Sequence, residues 1–80
     1  MKIPRDIRGL AFSKLLKSYG YEITRQTGSH IRLTTLLNGE HHITIPSHNP
    51  LKIGTLNSIF NDISSHFQIS KNQLLDELFF

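Results

Sequence analysis

The chain has no cysteine, no tryptophan and only six acidic residues. The missing cysteine excludes a disulfide framework and any zinc site with thiolate ligands, and it fits a reducing compartment. Polar residues interrupt every apolar stretch. No segment therefore approaches the roughly 20 apolar residues that a membrane-spanning helix needs, and the start lacks the apolar stretch of a secretory leader. A soluble, cytoplasmic protein without membrane contact is expected. The few acids are scattered, so no paired carboxylates suggest acid–base work, and neither a phosphate-binding loop nor a dinucleotide fingerprint occurs.

What is present is basic and unevenly spread. Nine Lys and Arg against six Asp and Glu give a formal charge of +3, with five histidines besides. Lys2, Arg5, Arg8, Lys14 and Lys17 face a single acid, Asp6, in the first part of the chain, whereas Asp62, Asp76 and Glu77 outweigh Lys71 near its end. Such asymmetry suits a polyanionic partner, because clustered cations neutralise phosphates and release counterions. Solvated helix faces would account for the same charges.

Eighty residues make room for one domain, taken as 1–80. A chain of this size buries only about 60–65% of its unfolded surface, so the core is thin. After Pro4 and Asp6, a helical period runs through Ile7, Leu10, Ala11, Leu15 and Tyr19, widened by Phe12 and Leu16. Gly9 weakens that helix by about 1 kcal/mol, so either the helix starts after it or a close contact needs it. Gly20 is suited to end it.

The period then becomes two. Tyr21, Ile23 and Arg25 alternate with polar neighbours as a first strand with its apolar side inward, and Thr27-Gly28-Ser29 turns the chain. A second strand, His30 to Leu36, places Ile31 and Leu33 on one face and His30, Arg32 and Thr34 on the other. Asn38-Gly39 signals a hairpin, and a third strand follows from His41 to Ile45, stopped by Pro46. Thr55 is a plausible cap for a second helix through Leu56, Ile59, Phe60, Ile63 and Phe67. Ser70 and Gln73 have the spacing of a capping box ahead of Leu74, Leu75 and Leu78. The expected fold is α+β: α-β-β-β-α with a three-stranded antiparallel sheet, helices on one face, and a short C-terminal helix.

His30 is the residue best placed for chemistry. It follows a Gly-Ser turn and opens a strand, so a sheet would hold its ring. Free imidazole titrates near pH 6.5, which suits proton transfer in the cell. RNA offers a 2′-hydroxyl beside each phosphodiester, and moving its proton is worth about 10²–10⁴-fold in rate. Gly28 would let backbone amides approach a phosphate, and Ser29 could add a hydrogen bond. Taken alone, Gly-Ser-His does not distinguish a catalytic imidazole from a surface one. His41 and His42, adjacent on a strand, point to opposite faces and cannot together chelate one ion. A zinc site from His30, His42 and His48 has only residue type in its favour, and His66 suits a helix C-terminus.

Three ordered blocks carry a family resemblance. They are Leu15-Leu16-Lys17-Ser18-Tyr19-Gly20-Tyr21 running into Arg25-Gln26-Thr27-Gly28-Ser29-His30, then Ile43-Thr44-Ile45-Pro46-Ser47-His48, then Gly54-Thr55-Leu56 with Ile59. In their order and spacing the chain resembles the HicA (YcfA-like) mRNA interferase toxins of toxin–antitoxin pairs, over roughly residues 8 to 67. The resemblance implies a fold like that of double-stranded-RNA-binding domains and cleavage of mRNA without metal or other cofactor. It puts His30 in the position of the catalytic histidine, with Gly28, Ser29 and His48 as supporting residues. It also implies a HicB-type antitoxin that covers the site and often binds operator DNA. Lys14, Lys17, Arg25, Arg32 and Lys52 are the cations expected to hold RNA. A non-catalytic RNA-binding module and a protein-interaction domain are the alternatives. Residues 68–80 extend past the compact length of the family, as a core addition, a partner-docking element or a dimer contact.

Overall fold

The computed structural model describes residues 7–47 and 51–79. Helix α1 (Gly9–Leu15) passes into a 3₁₀ turn (Leu16–Tyr19). Strands β1 (Glu22–Thr27), β2 (His30–Thr35) and β3 (His41–Pro46) follow, and then helices α2 (Ile53–Phe67) and α3 (Lys71–Phe79). The strands form one antiparallel sheet in the order β1-β2-β3. This is the α-β-β-β-α arrangement expected, with the added helix. No helix among the described residues is long and apolar enough to cross a membrane.

The helices cover one face of the sheet. Ile31 and Leu33 of β2 and Ile43 and Ile45 of β3 are buried there against Phe12, Leu16, Leu56 and Phe60. Phe12 meets Phe60 edge-on at 5.4 Å, which joins α1 to α2 across the sheet. The last helix belongs to this core: Leu74, Leu75 and Leu78 are buried, and the Phe79 ring lies 6.0 Å from that of Phe60. Of the roles open to the C-terminal segment, packing into the core is the one seen. Ser70 caps α3 as its spacing suggests, accepting from the Gln73 N–H at 3.0 Å.

Several expectations shift in detail. The buried side of α1 is Gly9, Phe12 and Ser13, continued by Leu16 of the 3₁₀ turn, while Leu10 and Leu15 are exposed. Gly9 sets that rotation. A Cβ there would lie 2.8 Å from the Pro46 carbonyl oxygen, so glycine alone lets the helix start against the end of β3. Helix α2 starts before Thr55, with Lys52 at its N-cap and no side-chain cap. The Leu51 N–H donates to the Ile7 carbonyl at 2.8 Å, which fixes the approach and lets helical bonding begin at Lys52.

Strand β1 departs most from the simple alternation. It is exposed along its whole length, and Ile23 is 41% exposed rather than turned into the core. The helices pack over β2 and β3 and leave this edge bare. Between Ile23 and Arg25 the register slips, with Thr24 as the extra residue of a bulge. Arg25 is thereby moved off the apolar side and becomes the direct partner of Arg32.

Gly20 ends the first helical segment with φ of +79°. A Cβ there would come within 2.7 Å of Leu37 Cδ1 and 2.8 Å of Thr35 Oγ1, so both conformation and space call for glycine. At the other turn, Asn38 and Gly39 both have positive φ, as the hairpin signal requires.

Candidate active site

Because side chains alternate along a strand, the face opposite the helices carries His30, Arg32 and Thr34 of β2 and His42 and Thr44 of β3. Thr27 and Arg25 of β1 stand across from His30 and Arg32. Apart from the partly covered Thr34, these residues are exposed. Among the described residues the ion pairs are His41–Asp62 and His42–Glu40, so neither guanidinium is engaged in one. Two adjacent arginines on a polar sheet face have the chemistry to contact phosphate oxygens.

His30 opens β2 at the margin of this face, and its Nδ1 lies 3.0 Å from the Ser29 hydroxyl oxygen. A hydroxyl can donate or accept, so Ser29 holds the ring in either tautomer. When it accepts from Nδ1–H, the lone pair of Nε2 is left facing outward. The turn itself is held by β3: the Ser47 N–H donates to the Ser29 carbonyl at 3.0 Å, and the Ser47 hydroxyl donates to the Gly28 carbonyl at 3.2 Å. Ser47 was not singled out in the sequence, because its partners lie 18 and 19 positions earlier and no local pattern announces the contact. Among the described residues, apart from its chain neighbours, no atom lies within 4 Å of where a Cβ at Gly28 would be.

The remaining candidates are distributed differently. Lys14 and Lys17 are exposed in the helical layer, not on the open face with Arg25 and Arg32. Lys52 is exposed at the N-cap of α2. His48 lies outside the described residues. His42 is occupied at both ring nitrogens, with Nδ1 2.7 Å from Thr34 Oγ1 and Nε2 2.7 Å from Glu40 Oε2. Among the described residues no group of three or more His, Asp or Glu side chains is arranged to hold a metal.

His41 points to the opposite face from His42, as adjacency on a strand demands, and enters a cluster that sequence reading missed. Tyr21 OH lies 2.7 Å from His41 Nδ1, and His41 Nε2 lies 3.3 Å from Asp62 Oδ1. Burial and, secondarily, the Asp62 charge push the Tyr21 hydroxyl well above its ordinary pKa, so it stays protonated and donates to Nδ1. His41 then presents Nε2–H to Asp62. The His41 ring stacks on His66 at 4.3 Å, and the His66 Nε2–H donates to the Leu37 carbonyl at 3.0 Å. This relay sits at the far end of the sheet, five residues along β2 from His30, or about 16 Å. It ties β3 to α2 and is no part of the His30 site.

The family model described as the HicA toxin of bacterial toxin-antitoxin matches residues 11–64. That span takes in the whole sheet, His30, and the Tyr21–His41–Asp62 relay. No curated protein and no solved structure matches the chain.

Proposed function

The chain belongs to the HicA toxin family, and we propose that it is an mRNA interferase: an endoribonuclease toxin that cuts RNA with His30 as its proton-transfer group. The observation that carries this reading is the position of His30. Its ring is exposed at the margin of the open sheet face, steadied at Nδ1 by Ser29 and aligned with Arg32 and Arg25.

The step needs no cofactor. The 2′-hydroxyl oxygen attacks the adjacent phosphorus and loses its proton, the bond to the 5′-oxygen breaks, and that oxygen takes up a proton. The products are a 2′,3′-cyclic phosphate and a new 5′-hydroxyl. The Nε2 atom of His30 either accepts the first proton or, as imidazolium, supplies the second. Ser29 supports the ring and is not a nucleophile. Arg25 and Arg32 hold backbone phosphates, and a guanidinium near the reacting phosphorus would offset its added negative charge. Lys14 and Lys17 lie in the helical layer, away from this contact. Membership of a toxin–antitoxin family supports a protein antitoxin as partner, of HicB type by the resemblance, seated where it blocks His30.

His30→Ala tests the reading. In EDTA, with purified protein and a defined mRNA, the variant is expected to lose cleavage and growth arrest while keeping its thermal transition. Undiminished cleavage by the variant overturns the assignment. Retention of RNA by the wild type with no new ends, at any incubation time, would identify a binding module instead.

A further inference from the structure

The open face does not stay polar to its end. Beyond Thr34 lies a pocket of about 320 Å³ lined by Gly20, Glu22, Thr24, Thr34, Leu36 and Leu37. Leu36 and Leu37 are 75% and 53% exposed, large aliphatic groups left to water. Leu37 rests against Gly20, where any Cβ would displace it. The other wall is polar and ordered. Thr24 and Thr34 share a hydrogen bond of 3.0 Å, and Thr34 is bonded in turn to His42, which Glu40 holds. Among the described residues the Glu22 carboxylate makes no ion pair. The site thus offers aliphatic walls, two hydrogen-bonded hydroxyls and a carboxylate without an ion pair among the described residues.

We propose that this pocket receives a single guanine base of the RNA lying across the open face, and so selects where His30 cuts. The proposal rests on the ribonuclease reading and adds a base preference to it. Of the four RNA bases, only guanine presents two adjacent donors, N1–H and the N2 amine, that one carboxylate can accept together. Adenine and cytosine place an acceptor nitrogen beside their amine, which a carboxylate repels, and uracil has one N–H between two carbonyls. Unstacked bases in single-stranded RNA are commonly read by hydrogen bonds to the Watson–Crick edge, and the two leucines would add apolar contact to the ring. The position is also suitable. Thr34 is four residues from His30 along β2, about 13 Å, with Arg32 between them to hold the connecting backbone.

The test uses 2′-O-methyl tetranucleotides, which lack the attacking hydroxyl and cannot be cleaved. Each is uridine throughout except for one G, A, C or inosine, and binding is followed by fluorescence anisotropy. The guanine probe is expected to bind about tenfold more tightly than the others. Inosine, without the N2 amine, is expected to lose most of that margin. Glu22→Gln, an exposed change on an edge strand, is expected to erase the preference with the thermal transition unchanged. Equal binding of all probes, or a guanine preference that survives Glu22→Gln, overturns the proposal. So does a Leu36→Asp variant that loses a protein partner but binds the guanine probe as before. The cleavage assay stays separate: flat binding with intact cleavage removes the pocket alone. A guanine preference in a protein that cuts nothing upholds the pocket and removes the nuclease.

Discussion

On β2 the residues Ile31, Leu33 and Thr35 are buried, while His30 and Arg32 between them are exposed and Thr34 is only partly covered. One strand of six residues therefore serves two unlike purposes. The inner face is closed by α1 and α2, with α3 packed on α2, and supplies stability. The outer face gains nothing from packing and keeps its charged and titratable groups available. The contrast also separates the histidines. His41, on the inner side, is consumed by Tyr21, Asp62 and the stacked ring of His66, whereas among the described residues the side-chain hydrogen-bond partner of the His30 ring is the Ser29 hydroxyl.

Truncation on either side should therefore give opposite outcomes, and the inner face gives the larger effect on stability. Leu33 is fully buried, and Leu33→Ala is expected to cost about 2–5 kcal/mol through lost burial and a residual cavity. In a domain whose whole stability is about 5–15 kcal/mol, this is a large fraction. Urea denaturation should show it as a lower midpoint. Arg32→Ala, one residue away, should stay within about 0.5 kcal/mol of wild type. Equal costs at the two positions would mean that the outer face is also packed.

Tyr21→Phe sharpens the contrast between the histidines. Removing the hydroxyl leaves His41 Nδ1 without its partner, at an expected cost of about 1–2 kcal/mol at neutral pH. The wild type should also lose stability in alkali. An unfolded tyrosine ionises near pH 10, while in the folded protein burial and Asp62 hold the Tyr21 proton to higher pH. Above about pH 10 the unfolded chain binds fewer protons than the folded one, so the free energy of unfolding falls as pH rises. Below pH 10 this contribution is complete. The difference between wild type and Tyr21→Phe should therefore shrink above pH 10, and a difference constant to pH 11.5 would remove the relay.

How much of this was legible in the sequence depended on how local each cause is. The inner and outer faces of β2 follow from strict alternation in His30-Ile31-Arg32-Leu33-Thr34-Thr35, and Gly20, Asn38-Gly39 and Ser70 act on their immediate neighbours. The bulge at Thr24 was not legible, because it arises where an uncovered edge strand must match the register of β2. Simple alternation therefore put Arg25 on the apolar side, although the bulge sets it beside Arg32. The buried side of α1 was misplaced for a similar reason, since Gly9 is positioned by Pro46, 37 residues later. The relay through Tyr21, His41 and Asp62 joins three separate elements, and only the fold brings them together.

The smallest expected effect tests the proposal that RNA lies on the open face. The basic first helix and the arginines of the sheet were expected to act together, but Lys14 and Lys17 lie in the helical layer and Arg25 and Arg32 on the open face. Each cation that neutralises a phosphate adds about one unit to the slope of log affinity against log salt. With uncleavable RNA, Arg32→Gln should lower that slope by about one and weaken binding only a few-fold at moderate salt. Arg25→Gln should do the same, since the Thr24 bulge sets it beside Arg32. Lys14→Gln should leave the slope unchanged. The reverse result, a reduced slope for Lys14→Gln and none for the two arginines, would move the RNA to the helical side and leave His30 without its substrate.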